Sequence, residues 1–326
     1  MGDKQNRFRL YRESPLYQLF VSLLIIIFLG SALYTILILP GKLIFGADLS
    51  ILEKPVTALS DSDFGFLRYL FIIQDISLLI IPSIIILVLM KSDPSARLSE
   101  FKFPLLREVG LIVILAFCIF PITSFTGQIN SAMHLPDWLS GVEQWMIEKE
   151  DKNNSLIDLL ITSNTFWVML LNLLLIGLMP AIAEEMIFRG VFQKIFSKLF
   201  RSGHLAIWFI AFIFSAVHFQ FFGFVPRFIL GLVFGYLFYW SGTLWISIIS
   251  HFVNNAFPVI MAYIQGMEKL NAPIDVPLWK QAIGLPLPII IGFVILFYFR
   301  DKSKNDRGLS TDQELVSKMD EGHVSF

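Results

Sequence analysis

From Leu16 to Leu39 the chain carries no charged residue. Runs of similar character recur at Tyr69–Met90, Val109–Thr126, Phe166–Pro180 with its continuation, Leu205–Phe219, Phe224–Trp240, Leu244–Ile264 and Ala282–Phe299. A helix crosses the hydrocarbon core of a bilayer in about 20 residues, and most of these runs are near that length. Inside lipid every backbone N–H and C=O must be bonded within the protein, which favours helices for unbroken apolar runs. The expected fold is therefore all-α: a polytopic bundle of about eight transmembrane helices enclosing an intramembrane cavity. Composition agrees, with 56% hydrophobic and 16% charged residues. A net charge of −1 provides no basic field for nucleic acid, so the partner implied by composition is membrane lipid. The single cysteine, Cys118, rules out an internal disulfide.

Cationic residues flanking the runs give the expected orientation, because Lys and Arg are retained on the cytoplasmic side. With a cytoplasmic amino terminus and eight crossings, 17 Lys and Arg fall inside and 8 outside. Lys4, Arg7, Arg9 and Arg12 precede a first run too long for a signal-peptide core, so it is read as a retained helix. The parse is one membrane domain. A cytoplasmic segment covers residues 1–15, the transmembrane domain 16–300, and a polar tail, expected to be disordered, 301–326. The expected location is the inner (plasma) membrane of a bacterium, with both termini cytoplasmic. Between the third and fourth runs, Gln128 to Asn164 carries Trp138 and Trp145 among apolar residues at mixed helical spacing. It is expected to lie along the outer interface, as a linker on the headgroups or as a lid or substrate-steering element.

Against this background Glu184, Glu185 and Arg189 demand a cause, since ionisable residues inside a span are costly. Glu185 and Arg189 are four residues apart and share a helix face, where they can pair, whereas Glu184 points elsewhere. The pair is equally explained as structural, a buried ion pair fixing two helices. Glu184, left without a counter-charge, is the candidate general base. Two of the five histidines fall within later runs, in Phe214-Ser-Ala-Val-His218 and in His251-Phe-Val-Asn254-Asn255. His251 and Asn255 again share a face. Alone, His218 reads as a satisfied core histidine and Asn255 as an interhelical hydrogen bond. Counted by helix rise, His218 lies ~20 Å, His251 ~13 Å and Glu184 up to ~25 Å from the cytoplasmic ends of their helices. All three can meet, and the expected cavity opens toward the cytoplasm.

A carboxylate and an imidazole can hold and deprotonate water, while a second imidazole and a carboxamide can donate to an oxyanion. That is the equipment of a peptide hydrolase without a nucleophilic side chain. A glutamate and two histidines, here Glu184, His218 and His251, are also a ligand set for zinc, which would activate the same water. No His-Glu-x-x-His is present, so a zincin-type site is not indicated. Gly231 and Gly235, four apart, are expected to allow close helix packing.

Glu184-Glu185-x-x-x-Arg189, Phe214-x-x-x-His218 and His251-x-x-x-Asn255, in that order, resemble the three motifs of the CPBP family of intramembrane proteases, also called the CAAX-protease and bacteriocin-processing, or ABI, family. The resemblance covers a core at about 166–264, while the first three runs and the tail match only in hydropathy. It implies a glutamate-type intramembrane endopeptidase in which Glu184 and His218 activate water, His251 and Asn255 stabilise the oxyanion, and Glu185 and Arg189 support the site. It implies a peptide or protein substrate, cut near the cytoplasmic face; eukaryotic relatives remove the last three residues of prenylated CAAX proteins. Some prokaryotic relatives act in bacteriocin self-immunity, so a non-catalytic scaffold or immunity factor is the competing expectation. A proton-coupled transporter ranks below both, because no internal repeat or pair of broken helices is visible.

Overall fold

The computed structural model describes residues 10–47, 49–52, 59–90, 100–161, 165–266 and 276–320. Lys4, Arg7, Arg9, Lys54, Lys91, Arg97, Lys269 and His323 lie outside them, as does most of the amino-terminal segment. The described residues form helices and no strand. Six helices are long and apolar enough to span: α1 (Pro15–Phe45), α2 (Ser62–Met90), α3 (Leu106–Ser131), α5 (Phe166–Leu199), α7 (Phe224–Ser241) and α8 (Leu244–Gln265). Between α3 and α5 lies α4 (Ser140–Ile161), and α6 (Gly203–Ala216) precedes α7. The described residues end in α9 (Leu278–Gly284) and α10 (Pro286–Asp320), which meet at a bend of 41° and are long and apolar enough to make a seventh span only when taken together. The chain is an integral, multi-pass membrane protein. Large apolar side chains such as Phe28, Leu43, Leu106 and Ile283 are exposed on its outer surface, as a lipid-facing surface requires.

Three expectations need correction. The fifth run stops being helical at Ala216, so α6 has only 14 residues and His218 follows the helix instead of lying in it. Phe219 adopts a left-handed backbone, φ 51°, and its N–H bonds back to the Ala216 carbonyl at 3.2 Å, which turns the chain sharply. Hydropathy missed this because Val217 and Phe219 are as apolar as the helix they terminate. The polar tail is helical to Asp320, where disorder was expected. A helix nucleated in the preceding span propagates at little cost through residues without strong breakers. The 128–164 segment does more than rest on headgroups, because α4 supplies part of a cavity wall: Asn154, Ile157, Asp158 and Ile161 line it.

The tightest packing joins α6 and α7, and glycine makes it possible. A Cβ added at Gly231 would stand 3.0 Å from Ala211 Cα, and one at Gly235 2.9 Å from Ile207 Cγ2. The expected GxxxG packing is present. It also brings two carbonyls of α7 to α5: Arg189 Nη2 donates to Gly231 O at 3.1 Å and Gln193 Nε2 to Gly235 O at 3.1 Å. A helical carbonyl keeps a second lone pair for such a bond. Around this seam Leu87 and Met90 of α2, Ile187 and Val191 of α5, and Ile210 and Phe214 of α6 form one buried cluster.

The bundle has two chemically different ends. At one, Lys198 donates to Gln18, Lys194 pairs with Glu100, Arg107 donates to Tyr298 and Lys302 pairs with Glu108. At the other, Asn130 at the end of α3 bonds the Phe221 carbonyl and the Val225 N–H, and Glu150 accepts from the Phe222 N–H.

Gly231→Leu forces its side chain into the Ala211 backbone. Overpacking costs about 1–3 kcal/mol, so the variant is expected to unfold at lower temperature. Cys118 is buried and is the chain's single cysteine, so its reaction with a thiol-reactive fluorophore in detergent reports the transition. An unchanged midpoint would show that the α6–α7 contact is loose.

Candidate functional site

Glu184 and Glu185 sit in the middle of α5, just before a stretch of widened π-type turns at Met186–Phe192, with a second such stretch at Leu173–Leu178. Segments of this kind re-aim side chains and occur often at functional sites. Pro180 lies between the Leu173–Leu178 stretch and the two glutamates. It has no N–H to give the carbonyl four residues back, that of Ile176. Asn255 of α8 takes up that carbonyl, donating from Nδ2 at 3.3 Å.

The two glutamates diverge as their spacing requires. Glu185 is fully buried, and its Oε1 accepts from Arg189 Nη1 at 2.9 Å and pairs with His251 Nδ1 at 2.9 Å. Arg189 is also fully buried. Its guanidinium lies over the rings of Phe214 and Phe234, at 4.6 and 5.5 Å from their centroids. Phe234 in turn stacks on the His251 imidazole, 4.9 Å between centroids and 20° between planes. Glu184 instead faces a cavity. Its Oε2 is 3.7 Å from His218 Nε2 and 3.9 Å from His251 Nε2, with no hydrogen-bond partner among protein atoms.

Helix termination sets the orientation of His218. Because α6 ends at Ala216, the Phe214 carbonyl lacks its helical N–H partner. His218 Nδ1 lies 2.6 Å from that oxygen and donates to it. A neutral imidazole that donates from Nδ1 presents a lone pair at Nε2, here toward Glu184. His251 is oriented by the same logic, with Nδ1 directed to Glu185 and Nε2 to the cavity. The Phe-x-x-x-His spacing thus serves two purposes, since the Phe214 ring also packs edge-on to both imidazoles.

The cavity measures about 510 Å³ and is walled by Glu184, His218, His251 and Asn255 together with residues of α4 and α7. An apolar chamber of about 160 Å³, lined by Phe71, Leu160, Leu175 and Pro180 among others, shares Ile157 and Ile176 with it. The structure thus brings Glu184, His218, His251 and Asn255 to one cavity and sets Glu185 and Arg189 behind His251. The site-supporting role expected of Glu185 takes the form of a bond to His251, a contact between helices that residue spacing within one helix cannot reveal. The cavity's described lining reaches the end of the bundle away from the Lys194–Glu100 and Lys302–Glu108 pairs. The rim there carries Asn154, Asp158 and Gln220. Depth counted along single helices gives distance from an end but not which end is open.

Sequence reasoning missed Gln193, Asn154 and Arg227. Gln193 extends the Glu185–Arg189 stripe by one more turn of four, a spacing that was there to be read. Arg227, in the first turn of α7, lines the cavity and is bonded to Gln220 and Gly223. A cation inside an apolar run deserved the same suspicion as Glu184.

Glu184, His218 and His251 are the side chains that could hold a zinc ion, and here their donor atoms stand slightly wider than the ligands of a bound ion would. Two donors at about 2.05 Å from a tetrahedral ion stand about 3.3 Å from each other, against 3.7 and 3.9 Å here. Among the described residues no group of three His, Cys, Asp or Glu side chains is placed to hold a metal ion.

The fold and site define a helical membrane protein with a carboxylate and two imidazoles converging in a cavity between its helices. Residues 165–257 match the family model described as type II CAAX prenyl endopeptidase Rce1-like, which shows over that stretch the resemblance carried by the motifs. The chain is 29% identical over 89 residues to the uncharacterized protein YpbD of Bacillus subtilis (strain 168). That alignment covers 26% of this chain and 42% of the relative, so the chain spans less than half of the curated relative it matches. No solved structure matches.

Arg189→Ala leaves Glu185 buried and lacking its counter-charge, and breaking a buried pair costs about 3–5 kcal/mol. The expected outcome is a large fall in the unfolding midpoint followed through Cys118, partly restored by adding Glu185→Gln. A stable Arg189→Ala protein would show that the pair does not hold α5 against α7.

Proposed function

We propose that the protein is an intramembrane endopeptidase that uses Glu184 and His218 to activate water. The observation that carries this reading is the convergence of Glu184 Oε2, His218 Nε2 and His251 Nε2 within 3.9 Å inside a cavity. The Glu184 carboxylate oxygen and the lone pair at His218 Nε2 are both acceptors, and a water molecule, with two hydrogens, is the donor that suits them. The match of residues 165–257 to a family of peptidases supports the same reading.

In the proposed reaction Glu184 removes a proton from water held by His218, and the resulting hydroxide attacks the carbonyl carbon of the scissile peptide. The tetrahedral oxyanion forms beside His251 and Asn255. When protonated, His251 donates from Nδ1 to Glu185 and from Nε2 to the oxyanion. The second hydrogen of the Asn255 amide is available alongside it, the first being held by Ile176. Glu184 then passes its proton to the departing amine as the C–N bond breaks. Glu185 and Arg189 position His251 without touching substrate. The adjoining apolar chamber suits an apolar substrate side chain.

Glu184→Gln is expected to lower cleavage by about 10²–10⁴-fold, the range general-base catalysis contributes, with an unchanged unfolding midpoint. Mass spectrometry of a membrane peptide library treated with purified protein measures it. Cleavage retained in that variant would contradict the reading and favour a non-catalytic scaffold. Cleavage is also expected to survive a zinc chelator, whereas its loss on chelation and return with added zinc would assign the water to a metal.

A further inference from the structure

The cavity rim and the basic belt lie at opposite ends of the bundle, and from this we propose that the active-site cavity opens on the outer face of the membrane. Its substrate is then a polypeptide segment presented from that side, not a C-terminal tail displayed in the cytoplasm.

The two ends are fixed by contacts between helices. The Lys194–Glu100 pair, the Lys198–Gln18 bond, the Lys302–Glu108 pair and the bond from Thr243 Oγ1 to the Lys102 carbonyl at 2.7 Å tie the ends of α1, α3, α5, α8 and α10 into one belt. Arg201, Arg300 and Lys304 belong to the same end, where α5 turns into α6 and α10 leaves the bundle. Such a concentration of cations marks the cytoplasmic face.

The cavity rim lies at the other end of the bundle and is built from α4 and the turn between α6 and α7. Gln220 Nε2 donates to Asn154 Oδ1 at 3.3 Å, joining the α6–α7 turn to α4. Gln128 and Gln281 exchange two bonds, at 2.9 and 3.0 Å, joining the end of α3 to α9. The rim helix α4 is acidic, with Glu143, Glu148, Glu150, Asp151 and Asp158 against Lys149 and Lys152. The exposed indoles of Trp138, Trp167 and Trp279 lie at this end too, at the level where tryptophan anchors a helix to headgroups. From this rim the cavity runs inward past Asn254 and Arg227 to Glu184 and His251. Among the described residues nothing at the basic end lines it.

The substrate assignment rests on the hydrolase reading; the direction of opening does not, and the test separates them. Cys118 is replaced by Ala, and single cysteines are introduced as Asn154→Cys on the rim and Lys304→Cys in the basic belt, both at exposed positions. Intact protoplasts and detergent-permeabilised ones are treated with a membrane-impermeant maleimide. The expected result is that Asn154→Cys labels equally in both, while Lys304→Cys labels only after permeabilisation. The reverse pattern overturns the proposal. So does an Asn154→Cys protein that labels in neither condition, because its rim would then not be open to water. If labelling is outward and no peptide is cleaved, the hydrolase reading fails and the orientation stands.

Discussion

Glu185 accepts from Arg189 and His251 on a single buried oxygen, and the site depends on that arrangement. A carboxylate with no exposure is tolerated only when paired and hydrogen-bonded. Arg189 supplies the charge, and its own donors reach Glu185 and the Gly231 carbonyl while its flat face rests on Phe214 and Phe234. A lysine could not satisfy these partners at once, since it lacks both the fork and the plane. One cation thereby fixes α5 against α6 and α7, and through Glu185 it fixes the imidazole of α8. The charges that look most awkward in the sequence are those that set the relative positions of four helices.

Glu184 gains its character by exclusion. Its neighbour consumes the arginine, so Glu184 is left facing two imidazole nitrogens whose outer atoms are already committed, one to the Phe214 carbonyl and one to Glu185. Local backbone irregularities make room for this. The end of α6 frees a carbonyl that His218 caps, and Pro180 frees one that Asn255 bonds. In lipid such groups must be satisfied by protein, and here the side chains that satisfy them are the ones that line the cavity.

Much of this could be read in the sequence. Apolar runs of bilayer length identify the spans, and i, i+4 spacing pairs Glu185 with Arg189 because a helix has one period wherever it lies. What escaped was everything set between helices: the Glu185–His251 bond, the docking of Arg189 and Gln193 on glycine carbonyls, and the place of α4 in the cavity wall. The early end of α6 was hidden because its terminating residues are apolar, and the helical tail because polar composition says little about helix propagation.

The central claim is that water held by Glu184 and His218 attacks a peptide bond. Purified protein acting on a membrane peptide library in ¹⁸O-labelled water tests it directly. The account predicts new carboxyl termini carrying one solvent oxygen each, formed by the wild-type chain and not by Glu184→Gln. New termini formed equally by both proteins, or none formed by either, would contradict it.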